Sequence, residues 1–282
     1  MTKPRVKIST SLIGKMFPDG EEKILCPKQL KETFIDRKYR MPDTEAQASG
    51  KYFEYVCLGA GADMTDLVTD LRHVKSGRGG EKSADQIRIE DQARMFEEIA
   101  ENLGVKIIKE NIQVRVEKPW DHEYNEWEEE YDIVITGIID FISPVNAMAF
   151  KENGERGVIQ CENAVHDLKL TKDIWAVFGR NRSWAYPWTM NHTQLAIYNY
   201  ITDLPAFYWV FDYKPKAEFR VYHKEMTSME KLEMHEAIRK TAEKYIELDK
   251  VGWPASPAYY RCKDCPVKDC TSRTKKPDIQ IF

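Results

Sequence analysis

Between residues 106 and 170 the hydrophobic pattern runs with a period of two, and no other feature narrows the fold as much. KIIKENIQVRVEK (106–118), YDIVITGIIDFI (131–142) and GVIQCENAVHDLKL (157–170) are rich in β-branched residues, which predicts three strands. The second and third are separated by SPVNAMAFKENGERG (143–157), whose turn residues read as a connecting loop. Antiparallel pairing is the simplest connection, although that loop is longer than a common hairpin. AFYWVFDY (206–213) and AEFRVYHK (217–224) read as two further strands.

Helical periodicity flanks these runs. Residues 27–40 predict a helix with a proline in its first turn and Leu30, Phe34 and Ile35 at helical spacing, so that Cys26 stands at its start. A polar segment, MPDTEAQASGK, leads into YFEYVCLGAGAD. Residues 84–103 predict a helix whose apolar face carries Ile87, Ala93, Phe96, Ile99, Ala100 and Leu103, ended by Gly104. A further helix is expected from Pro187 to Ile201, and MEKLEMHEAIRKTAEKYIELDK (229–250) is a strongly amphipathic one. Strands interleaved with helices, without repeats or low-complexity linkers, predict one α/β domain with a cysteine-pinned extension.

Lysine and arginine number 42 against 46 aspartates and glutamates, so the net charge of -4 neither demands nor excludes nucleic acid. No run approaches the roughly 18 apolar residues needed to span a bilayer. The start MTKPRVKIST has no apolar signal core, so no membrane partner is expected and cytoplasmic residence is the default. Of the six cysteines, Cys262, Cys265 and Cys270 crowd together while Cys26 stands far upstream, a placement that suits a metal better than disulfides. Cys57 and Cys161 lie in apolar or strand-like surroundings and read as small buried hydrophobes.

The chemistry concentrates in VHDLKL. Asp167 and Lys169 are two apart on a predicted strand and so project to one face. A carboxylate and an ammonium side by side suit phosphodiester hydrolysis: the acid can hold a divalent cation while the lysine positions water or offsets phosphate charge. Alone, the tripeptide also describes a solvated edge or an ordinary ion pair. Asp140 adds weight because it closes the apolar run IVITGIID, where a buried acid needs a partner; capping of a turn is the bland alternative. Two carboxylates on neighbouring strands would suit Mg²⁺, which keeps several waters and takes substrate phosphate oxygens.

TGIIDF followed by VHDLK resembles the acid-then-D/ExK signature of the PD-(D/E)XK nucleases, particularly the RecB-like branch. GKYFE resembles the helical first motif of that branch, which implies Glu54 as a third metal ligand. QLAIY resembles its Q-x-x-x-Y motif, which implies Gln194 and Tyr198 as contacts to the substrate strand, four apart on one helical face. Cys26 in LCPKQL, with Cys262, Cys265 and Cys270, resembles the nucleases that join their two ends through a [4Fe-4S] cluster, among them AddB-type and CRISPR-associated RecB-like exonucleases. Four thiolates suit tetrahedral zinc equally well on chemical grounds. Closing a chain over about 240 residues would remove freedom from the unfolded state, so the cluster reads as structural.

The resemblance covers Cys26 to Cys270. It implies a restriction-endonuclease-like central mixed sheet flanked by helices, with the terminal segments joined at a four-cysteine metal cluster. The whole of 1–282 would be one nuclease domain, with a core about 45–225 and pinned ends about 8–40 and 226–282. It further implies a Mg²⁺- or Mn²⁺-dependent DNA exonuclease with Asp140, Asp167, Lys169 and Glu54 catalytic. DNA of single-stranded character is the expected substrate, with helicase, recombination or CRISPR adaptation proteins as partners and oligomers among its relatives. A catalytically silent DNA-binding or scaffold subunit with the same fold is the alternative, and a zinc-cysteine module a second one. HVKSGRGGEK (73–82) and GRNRSWAYPW (179–188) carry arginine or lysine, the latter interleaved with aromatics, and are candidates for phosphate and base contacts.

Overall fold

The computed structural model describes residues 3–17, 22, 24, 26–40, 43–59, 82–151, 153–177, 182–186, 193–256 and 262–272. Its elements are β1 (Arg5–Ser9), α1 (Thr10–Met16), α2 (Pro27–Leu30), α3 (Glu45–Leu58), α4 (Ala84–Asn102), β2 (Ile112–Pro119), β3 (Asp132–Phe150), β4 (Arg156–Thr171), α5 (Thr193–Thr202), β5 (Ala206–Asp212), β6 (Phe219–Lys224) and α6 (Ser228–Lys250). The strands form a mixed sheet in the order β1-β3-β4-β5-β6, with β2 also paired to β3. β3 runs antiparallel to β4, β4 parallel to β5, and β5 antiparallel to β6. The expected α/β class and the antiparallel β3–β4 pair are therefore present. No helix among the described residues is long and apolar enough to cross a membrane.

Two compact units are distinguishable. One comprises Asp43–Lys118 and Thr136–Lys231; the other comprises Met1–Pro42, Pro119–Ile135 and Leu232–Phe282. In the first, the two faces of the sheet bury different helices. Alternation sends Phe141, Leu168, Phe207, Trp209 and Phe211 to a core shared with Phe53 of α3 and Phe96 of α4. Phe96 meets Phe141, Trp209 and Phe211 edge-on at centroid distances of 5.9, 5.7 and 5.9 Å, the arrangement aromatic quadrupoles favour. The opposite face gathers Ile139, Val165, Tyr208 and Val210 against Leu195 and Tyr198 of α5.

Three expectations shift. The segment SPVNAMAFKENGERG is not mainly loop: β3 continues to Phe150, and the turn is confined to residues 151–155. Pro144 is tolerated because the pairing register shifts between Ser143 and Val145, a bulge where its missing N–H is not required. The polar stretch before YFEYV is the first half of α3, started by a capping box in which Thr44 and Gln47 bond reciprocally. The helix expected over 27–40 is shorter: α2 passes into a π turn over Lys31–Ile35, and Arg37 has φ of 52°. The helix expected from Pro187 begins, within the described residues, at Thr193. Residues 73–81 of the basic segment, and 179–181 and 187–188 of the second, lie outside the described residues.

In the second unit Leu12, Met16, Leu248 and Trp253 form a small core with Phe34 and Tyr245 packed against it. The amide of Lys28 donates to the Pro254 carbonyl at 3.3 Å, and Lys38 pairs with Asp269 at 2.8 Å, so segments from both ends of the chain meet here.

Candidate active site and cysteine cavity

The register of β3 and β4 pairs Phe141 with His166, the residues next to Asp140 and Asp167 in the chain, and Lys169 lies two residues beyond Asp167 on the same face of β4. Both acids are buried, Asp140 with 9% and Asp167 with 1% of their surface exposed. Asp140 lies inside β3 rather than capping a turn, and its Oδ2 accepts from the Leu168 amide at 2.6 Å. Asp167 Oδ1 accepts from Gln194 Nε2 at 2.7 Å. Its Oδ2 meets the Lys169 ammonium as a close ion pair. Lys169 Nζ also stands 5.5 Å from the ring of Tyr208, the residue that pairs with Asp167 on β5.

α5 supplies the next layer. Leu195 and Tyr198, three apart on one side of the helix, pack against the sheet residues of this core. Gln194 Nε2 donates to Tyr198 Oη at 2.9 Å as well as to Asp167, and Tyr198 Oη donates to the Ile138 carbonyl at 2.6 Å. Glu54 comes from α3, and its Oε1 accepts from the side-chain amide of Gln113 on β2.

Three carboxylates thus share one neighbourhood with the Lys169 ammonium. Burial, then the charges of Asp167 and Glu54, push Asp140 well above the usual carboxylate range. Burial raises Asp167 too, against the opposing pull of Lys169. Glu54 is raised by burial and by Asp167. Burial alone would lower Lys169, but Asp167 and Asp140 hold its ammonium above the ordinary value. The Tyr198 phenol is pushed up by burial and by Asp167.

Among solved structures, the chain is similar to a proposed exonuclease from Eubacterium rectale determined crystallographically, with a TM-score of 0.58 over 96% of this chain and 90% of that one, at 14% identity. The two chains share a fold. At such low identity the likeness concerns the fold alone. No family model and no curated protein matches the chain.

Within this fold all six residues proposed from the acid, D/ExK and Q-x-x-x-Y motifs and from GKYFE lie in one compact unit. Gln194 and Tyr198, expected at the substrate strand, direct their polar atoms inward to Asp167 and Ile138. Two participants were missed. Gly137 lies against Tyr198, and a strand glycine is itself a sign of close approach. Gln113 left no sequence signal, because its bond to Glu54 joins residues 59 apart.

Mutually repelling buried acids are what an oxygen-seeking cation relieves, so Asp140, Asp167 and Glu54 fit Mg²⁺ or Mn²⁺ by donor chemistry. Yet among the described residues no three His, Cys, Asp or Glu are grouped so as to hold a metal ion, so these acids do not form a ready cage. Cys26, Cys262, Cys265 and Cys270 line a single cavity with Ala255 and Val267, and the Ser256 amide donates to Cys26 Sγ at 3.5 Å. Thiolates suit a metal or cluster by donor type, but like the acids these cysteines are not grouped as a ready metal cage among the described residues. Cys57 is buried in the core of the other unit, as its surroundings predicted, whereas Cys161 is only half-buried against that core.

Proposed function

We propose that this protein is a divalent-metal-dependent DNA nuclease, an exonuclease acting at strand ends. The observation that carries the reading is Asp140 beside Asp167, both buried, with Lys169 two residues on at the same face. Burying several acids against one lysine is costly for a merely structural sheet. It is what phosphodiester chemistry needs.

Asp140, Asp167 and Glu54 would hold Mg²⁺ or Mn²⁺, and a cation bound there supplies polarisation of the scissile phosphate and acidification of a water. Lys169 places a positive charge where negative charge grows on the phosphate. Gln194 orients Asp167, and Tyr198 fixes Gln194. For either to grip the substrate strand, as the motif implies, one of these bonds must open when DNA binds. Single-stranded character at the site is expected because a buried carboxylate face is reached more readily by one strand than by a duplex.

Cys26, Cys262, Cys265 and Cys270 would hold a [4Fe-4S] cluster, with zinc as the competitor, and its role would be to fasten the ends of the chain. Recombination, helicase-linked or CRISPR adaptation proteins are the partners that this reading suggests.

The test is cleavage of end-labelled single- and double-stranded linear DNA, with a circular control, by anaerobically purified protein in Mg²⁺, Mn²⁺ or EDTA. Degradation that needs metal, spares the circle and vanishes in Lys169→Ala is expected. DNA binding without cleavage on any substrate would instead identify a silent scaffold with the same fold.

A further inference from the structure

Gln113, the second residue of β2, has φ of 50°. A residue with a side chain enters this left-handed region at a steric cost, which asparagine or glycine largely avoids. Such a conformation persists only where surrounding contacts require it. Here the contact is the side-chain amide, which donates to Glu54 Oε1. Glu54 is the one candidate ligand that does not come from the β3–β4 pair, so nothing in the sheet register fixes its carboxylate. It also faces Asp167, whose like charge repels it.

We propose that Gln113 is a positioning residue, holding Glu54 by one oxygen so that the other is presented to the cation shared with Asp140 and Asp167. The backbone strain at Gln113 is the cost of that reach. This rests on the metal-dependent reading above, but its test separates the two.

Gln113→Gly relieves the backbone and removes the amide. Its thermal midpoint should equal or exceed that of the parent, while Mn²⁺ affinity by calorimetry on the full chain should fall by about 10- to 100-fold, the usual effect of losing a ligand's supporting partner. Half-saturating Mn²⁺ for cleavage should rise by the same factor, with the rate at saturating metal nearly kept. Gln113→Asn, which tolerates the same φ but is one methylene shorter, should behave like glycine. In a Glu54→Gln background, Gln113→Gly should change the affinity no further, because the two act through one bond.

Unchanged Mn²⁺ affinity in Gln113→Gly overturns the inference. So does a drop in thermal midpoint matching the drop in affinity, which would make Gln113 a fold residue only, or a parent protein that binds no Mn²⁺. A parent that binds Mn²⁺ yet cleaves no DNA ends the nuclease reading while leaving the affinities to decide this one.

Discussion

A methyl group on Gly137 would lie 2.8 Å from Cε1 and 3.1 Å from Cδ1 of Tyr198, so the strand and the helix touch through a position that admits no side chain. The ring cannot swing aside freely, because it is buried and its hydroxyl is tied to the Ile138 carbonyl at 2.6 Å. Gly137→Ala should therefore lower stability by about 1–3 kcal/mol, the range for overpacking a filled core. The same push travels through Gln194 to Asp167, so cleavage by the folded fraction should drop as well. Tyr198→Phe keeps the ring and should cost only about 1 kcal/mol. Denaturant midpoints and cleavage rates of the two variants check the difference, and equal behaviour would refute the contact's importance.

Gln194 should act through Asp167. Gln194→Ala removes the donor at 2.7 Å from Oδ1, and a loss of about 10- to 100-fold in metal affinity or rate is expected. Gln194→Glu sets another carboxylate against an already crowded acid and should be worse in both stability and activity. If glutamate proved harmless, the bond would not be orienting anything.

The carboxylates should oppose folding when no cation is present. Asp140→Asn keeps an oxygen for the Leu168 amide and removes one of the repelling charges, so the metal-free variant should melt above the metal-free parent. Saturating Mn²⁺ should raise the parent's stability, by about 2.7 kcal/mol at a hundredfold excess over the dissociation constant. The variant should gain little and should not cleave DNA. Thermal melts with Mn²⁺ and with EDTA measure all of this, and equal gains in both proteins would remove Asp140 from the metal site.

His166, next to the catalytic candidate, should matter for stability alone. Trp209 Nε1 donates to its Nδ1 at 2.9 Å, and its Nε2 stands 3.1 Å from the Ser143 carbonyl, so the neutral ring with hydrogen on Nε2 satisfies both partners. Burial pulls its pKa down to about 4, in keeping with that neutral form. His166→Ala leaves an indole N–H and a carbonyl unpaired beside a cavity, and a loss of about 3 kcal/mol is expected from chemical denaturation. A loss near zero would contradict the hydrogen-bond assignment.

Replacing any one of Cys26, Cys262, Cys265 and Cys270 by serine should remove iron and sulfide from anaerobically purified protein and lower its thermal midpoint. Cys161→Ser should keep both, because Cys161 packs against the sheet core and not at the cavity. Iron content and visible absorption distinguish the two sets. Zinc in place of iron in the parent would transfer the site to the competing occupant.

Much of this molecule was legible from local pattern. A two-residue period is enough to place Asp167 and Lys169 on one face, because the pleat alternates side chains whatever the strand later packs against. Helical spacing did the same for Gln194 and Tyr198. β3 was read as too short because Pro144 and the small residues after it suggest a loop, whereas Val145, Ala147 and Ala149 are buried on one side, with Asn146 and Met148 exposed on the other. That alternation was present in the sequence but was outweighed by turn propensity, which a bulge overrides.

What the sequence by itself determined was the type of most elements and the shared face of Asp167 with Lys169 and of Gln194 with Tyr198. Pairing register, the inward direction of Gln194 and Tyr198, and the link from Gln113 to Glu54 were decided only by the tertiary structure. The reason is physical: a residue's side-chain direction follows from its own backbone period, but its partner follows from which strand or helix is folded beside it.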